Sequence, residues 1–118
     1  MALSVLFDQY DLPQNDFGRQ INFKIYNENT QLPYDCTFAN GGAVVKTFDA
    51  DGNQIVPDIT VTWDTQSSGI GHFAYTQASR PNTIGDFYLC VQMWNSPLTE
   101  QISTTLRRLV ITVQPSTN

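Results

Sequence analysis

The stretch from Thr83 to Trp94 carries the clearest alternation in the chain. Phe87, Leu89, Val91 and Met93 fall on one parity and Tyr88, Cys90, Gln92 and Trp94 on the other, the period of two expected of a strand with one face in a core. Aromatic residues on both parities predict a central strand, because a strand wet on one side usually carries more charge there. Gly85 supplies the turn in front of it.

The same alternation predicts further strands. Ile21, Phe23 and Ile25 alternate with Gln20, Asn22 and Lys24 across residues 19–26, and Phe73 and Tyr75 alternate with His72, Ala74 and Thr76 across 72–77. Ile59, Val61 and Trp63 share one face of a strand over 55–64, with Pro57 excluding a regular central position at its start. Residues 34–39 and 43–48 read as shorter extended pieces. Leu98, Ile102, Leu106 and Leu109 recur at helical spacing, yet Ser103-Thr104-Thr105 and Val110-Ile111-Thr112-Val113 favour extension, so a strand is predicted over 102–113 with room for a turn of helix before it. Leu3 to Phe7 is a short apolar run that fits either an edge strand or an arm reaching onto a neighbour. Residues 8–17, with Pro13, Asn15 and Asp16, read as irregular.

Turn signals separate these pieces at Asn40-Gly41-Gly42, Asp51-Gly52, Ser67-Ser68-Gly69-Ile70-Gly71 and Asn95-Ser96-Pro97. About seven strands at short intervals, with no clear helix, predict an all-β chain folded as an antiparallel β-sandwich or barrel. At 118 residues it is expected to be one domain, with an arm or edge strand over 1–18 and the sandwich over 19–118.

Composition narrows the partners. Charged residues make up 14% of the chain, against roughly 25% in an average soluble domain. Asn, Gln, Ser and Thr supply 39 residues, so the expected surface is neutral and polar, suited to contact with protein or sugar. The net charge is −5 and the six cations, Arg19, Lys24, Lys46, Arg80, Arg107 and Arg108, form no stripe, which argues against nucleic acid as a partner. The Arg107-Arg108 pair reads as a solvated patch. The segment from Met1 to Asp8 has neither the basic region nor the apolar run of a signal peptide, and no stretch approaches the roughly 20 residues of a membrane helix, so no membrane partner and synthesis in a cytosol are expected. No Asn-x-Ser/Thr acceptor site occurs.

Candidate chemistry is sparse. Asp49-Ala50-Asp51-Gly52-Asn53 resembles a calcium loop superficially, but its glycine comes two positions early and no Glu stands at the twelfth position, so a hairpin turn accounts for it. His72 is the single histidine and no Cys-x-x-Cys occurs, which leaves no metal site and no cofactor to expect. A hydrolytic triad would need His72 as base beside Ser67, Ser68 or Ser79, without a nucleophile elbow; a histidine in a strand beside a turn is more often a surface hydrogen-bonding group, so no catalytic residue is assigned. Glu28 and Glu100 are the only glutamates and give no support to a paired-carboxylate glycosidase. Tyr26, Tyr34, Tyr75, Tyr88 and Trp94 alternate away from the most apolar faces, which fits core or protein contact first and a sugar platform second.

Cys36, Trp63 and Cys90 are spaced 27 and 27 apart, and Tyr88 stands two residues before Cys90, a pattern that resembles immunoglobulin domains. That resemblance implies a Cys36–Cys90 disulfide and a corner tyrosine at Tyr88. The chain departs from it at Asp86, where the family places a small residue, and in placing Cys90 on the less apolar parity; with cytosolic synthesis these departures favour two reduced, half-buried thiols. Taken over residues 19–114, the run Ile21-Asn-Phe-Lys-Ile-Tyr26, the segment from Ala43 to Gly52, Gly71-His-Phe-Ala-Tyr-Thr76, Gly85-Asp-Phe-Tyr88, Ile102-Ser-Thr-Thr105 and Val110-Ile-Thr-Val113 together resemble the immunoglobulin-like domain at the N-terminus of phage baseplate upper proteins, and more loosely the small immunoglobulin-like modules of phage virions.

The resemblance implies an immunoglobulin-like antiparallel β-sandwich of about seven strands, and a non-enzymatic virion structural protein that decorates or stabilises the capsid or the tail and baseplate. Since baseplate proteins continue into a long C-terminal part, a freestanding accessory such as a capsid decoration protein is expected. Its partners would be other virion proteins, in many identical copies, with a homo-oligomer among the assemblies that fit. Docking is expected through an arm carrying Leu3, Val5, Leu6 and Phe7, which would add a strand to a neighbour's sheet edge and be removable without unfolding the sandwich. The alternative is a carbohydrate-binding or adhesion module for a host surface glycan, using Trp94, Tyr26 and Tyr75.

Overall fold

A computed structural model describes residues 2–14, 16–81 and 83–112. The alternating segments become β1 (Leu3–Phe7), β2 (Asp11–Pro13), β3 (Ile21–Asn27), β4 (Gly42–Phe48), β5 (Gln54–Thr60), β6 (Thr62–Thr65), β7 (Ile70–Phe73), β8 (Gly85–Trp94), β9 (Gln101–Ser103) and β10 (Arg107–Thr112). One sheet has the order β1-β3-β7-β6; the other has the order β2-β10-β8-β4-β5, with β9 also paired to β8. All pairs are antiparallel except β2 with β10, which is parallel. The chain is therefore all-β in two layers, as the alternation predicts, with a mixed rather than wholly antiparallel second sheet.

The layers meet over one core. Ile21, Phe23 and Ile25 of β3 face Ala43 and Val45 of β4, Leu89, Val91 and Met93 of β8, and Leu109 and Ile111 of β10 within a single buried cluster. β8 is central, flanked by β4 along one side and by β9 and β10 along the other. Edge-to-face aromatic contacts run through the four-stranded layer, Phe7 with Phe73 at 5.9 Å, Phe73 with Tyr75 at 5.3 Å and Phe23 with Trp63 at 5.7 Å between ring centroids.

Ten strands stand among the described residues where about seven are predicted: two predicted strands are broken, β1 and β2 add two more, and residues 34–39 form none. Residues 55–64 divide at Val61, whose N–H bonds the Ala43 carbonyl at 3.2 Å while β5 stays in the six-stranded sheet and β6 joins the other. Residues 102–112 divide at Thr104 to Leu106. There the Thr104 hydroxyl accepts the Val91 N–H at 3.0 Å, and the Thr104 N–H donates to the Val91 carbonyl, so the side chain stands in for one ladder carbonyl. No helix precedes this segment among the described residues; Ser96 and Pro97 form a turn. Val113, at the predicted strand's end, lies outside the described residues, as do Asn15 and Asn82.

Two further expectations are corrected. Residues 34–39 form no strand, because their backbone groups go elsewhere: the Cys36 N–H bonds the Gln66 carbonyl at 3.0 Å, and Gln66 Nε2 donates to the Cys36 carbonyl at 2.9 Å. A short 3-10 turn over Gln66–Ser68 holds this strap, ending at Gly69 with φ of 68°, where a Cβ would meet the Ile25 carbonyl oxygen at 2.6 Å. Within the predicted irregular stretch 8–17, β2 pairs with β10 and buries Leu12.

β1 is an edge strand of the sandwich itself. It pairs with β3 from Leu3 opposite Asn27 to Phe7 opposite Phe23, and Leu3, Val5 and Phe7 are buried in the core. Its other edge is also occupied: the Thr105 N–H donates to the Leu3 carbonyl at 2.8 Å and Arg107 Nε donates to the Val5 carbonyl at 2.9 Å. Ser4, which bonds the Glu28 carboxylate, lies 3.3 Å from the Thr105 hydroxyl across the same seam. Asp8 closes the end of the strand, accepting from the Asn22 backbone N–H at 2.9 Å and from its side-chain amide at 2.7 Å. Residues 3–7 are accordingly no free arm. Their apolar side chains are spent on the chain's own core, and two of the carbonyls a neighbouring strand would need are already bonded.

Candidate functional site

Of the four residues expected to dock, Leu3, Val5 and Phe7 are therefore interior, and only Leu6, 41% exposed, faces outward. Of the three expected glycan contacts, Tyr75 is 2% exposed and its hydroxyl lies 2.7 Å from the Thr47 hydroxyl in the core. It follows Phe73 inward past the end of β7, so it offers no ring face to a ligand, and burial pushes its phenol well up from the usual range. Tyr26 and Trp94 remain half-exposed on different sheets. Trp94 lies over Gly42, where a Cβ would come within 2.7 Å of the indole, and Tyr26 receives Arg107 Nη2 at 3.4 Å. The structure does not bring the three into one platform.

The groups considered for catalysis lie on β7, in the 3-10 turn before it and at Ser79 beyond it. His72 Nδ1 meets the Asp64 carboxylate at 2.9 Å across neighbouring strands, but Ser67 and Ser68 belong to the 3-10 turn and the Ser79 backbone is bonded to Thr76. Asp49 spends one carboxylate oxygen on the N–H groups of Asp51 (3.0 Å) and Asn53 (2.9 Å), the geometry of a hairpin turn rather than of a cation loop. No cluster of three metal-ligating side chains occurs among the described residues.

The cysteines are both free. Cys36 belongs to the core cluster, whereas Cys90 sits on the parity of β8 that faces away from Leu89 and Val91, so the six-stranded sheet stands between the two faces. Burial pushes the Cys36 thiol up to about 12, with the Asp35 carboxylate adding to it; burial also raises Cys90, partly offset by Lys46. The resemblance's disulfide is thus replaced by two thiols. Tyr88 shares the outward parity of Cys90 and lines the surface with it, so it does not occupy an inward corner position, and Trp63 lies on β6 at the far edge of the other sheet.

That outward parity builds one face of a surface groove. Phe48 of β4 stands opposite Tyr88 of β8, which stands opposite Arg108 of β10; Lys46 stands opposite Cys90 in the next row. The break at Thr104 to Leu106 lets Leu106 project beside this row, 56% exposed, and the hairpin from Asp49 to Gly52 rises on the other side. Between them lies a groove of about 540 Å³, lined by Phe48, Ala50, Tyr88, Cys90 and Leu106 among others. Leu106, Phe48 and Tyr88 supply the large apolar side chains of its lining. Leu106 and Phe48 are functional candidates that the sequence expectations passed over. A signal existed for Leu106: counting by twos from the core residues Leu109 and Ile111 puts it on the opposite, outward parity.

The chain matches no protein-family model and no curated protein.

Proposed function

We propose that this chain is an immunoglobulin-like β-sandwich that works by docking rather than by catalysis, as a structural component of a phage virion present in many copies. The strand order supports the immunoglobulin-like part. One layer ordered β1-β3-β7-β6 and a second holding β10, β8, β4 and β5 side by side are similar to variable-type sandwiches, whose second sheet gains strands beyond those of the constant type.

The observation that carries the docking part is the groove centred on Tyr88, Cys90 and Leu106, on the outer face of the six-stranded sheet. It replaces residues 3–7 as the surface of contact. The virion assignment rests on the resemblance of residues 19–114 to phage modules and on a surface poor in charge. Quantitative mass spectrometry of purified phage particles tests it: the chain is expected in stoichiometric multiples of a head or tail protein, and particles free of it would contradict the assignment.

A further inference from the structure

We draw no further inference here: the strongest candidate, the groove on the outer face of the six-stranded sheet between the Asp49 hairpin and Leu106, belongs to the docking surface already described, and nothing in the structure shows what covers its apolar lining.

Discussion

The hydroxyls of Tyr75 and Thr47 lie 2.7 Å apart in the core, joining the segment after β7 to β4 in the opposite sheet. Each is the other's partner in a region sealed from water, and among the described residues no buried side-chain nitrogen or oxygen lacks a partner. Removing one hydroxyl orphans the other. Tyr75→Phe and Thr47→Val should each cost about 1–3 kcal/mol in urea unfolding, and the double variant should recover part of that loss. Simple additivity of the two costs would show that the hydroxyls do not act as a pair.

The break between β9 and β10 depends on a side chain doing backbone duty. Thr104→Val keeps the shape and removes the acceptor for the Val91 N–H, leaving a buried donor unsatisfied at a cost of about 1–3 kcal/mol. Amide hydrogen exchange should speed up at Val91 more than at Leu89, which pairs with β10 through Arg107. Equal effects at both would mean that the hydroxyl contributes nothing specific.

Neighbouring residues of β1 should behave oppositely. Phe7→Ala empties a core position in contact with Phe23 and Phe73 and should cost roughly 3–5 kcal/mol, whereas Leu6→Ser, on the outer face, should change stability by no more than about 0.5 kcal/mol. Chemical denaturation of the two variants decides whether β1 belongs to the core or hangs free of it.

The thiols give a pH dependence with a definite sign. Cys36 is held at about 12 against an ordinary value of 9.0, so the folded chain keeps its proton where the unfolded chain loses it. Below pH 9 both states are protonated and its contribution is complete; between pH 9 and 12 stability falls. Cys36→Ala should flatten that fall. Reducing agent should leave the melting temperature unchanged, since both thiols are free, and a drop in its presence would point to a disulfide.

Much of the fold was legible where one parity is apolar and the other is not. β3 and β8 announce themselves through Ile21, Phe23, Ile25 and through Phe87, Leu89, Val91, Met93, and the Asp49 hairpin through its Asp-Gly. The breaks were not legible, for a physical reason. Ile59 and Trp63 pack against the same core from different sheets, so the alternation continues undisturbed through the crossing at Val61. Thr104 ends a strand by a hydrogen bond to a residue 13 positions away, which no local pattern records. The site suffered most: Leu3, Val5 and Phe7 are as apolar as an arm would be, and only their partners on β3 and at Thr105 and Arg107 show that the run faces inward.

The docking account turns on Leu106 against Leu6, two exposed leucines on the outer faces of opposite sheets. Phage particles lacking the chain, loaded in vitro with an equimolar mixture of the Leu106→Ser and Leu6→Ser variants and then weighed by mass spectrometry, measure the claim directly. The account predicts that Leu6→Ser fills the particles and Leu106→Ser is left behind; equal loading, or preferential loading of Leu106→Ser, would contradict it.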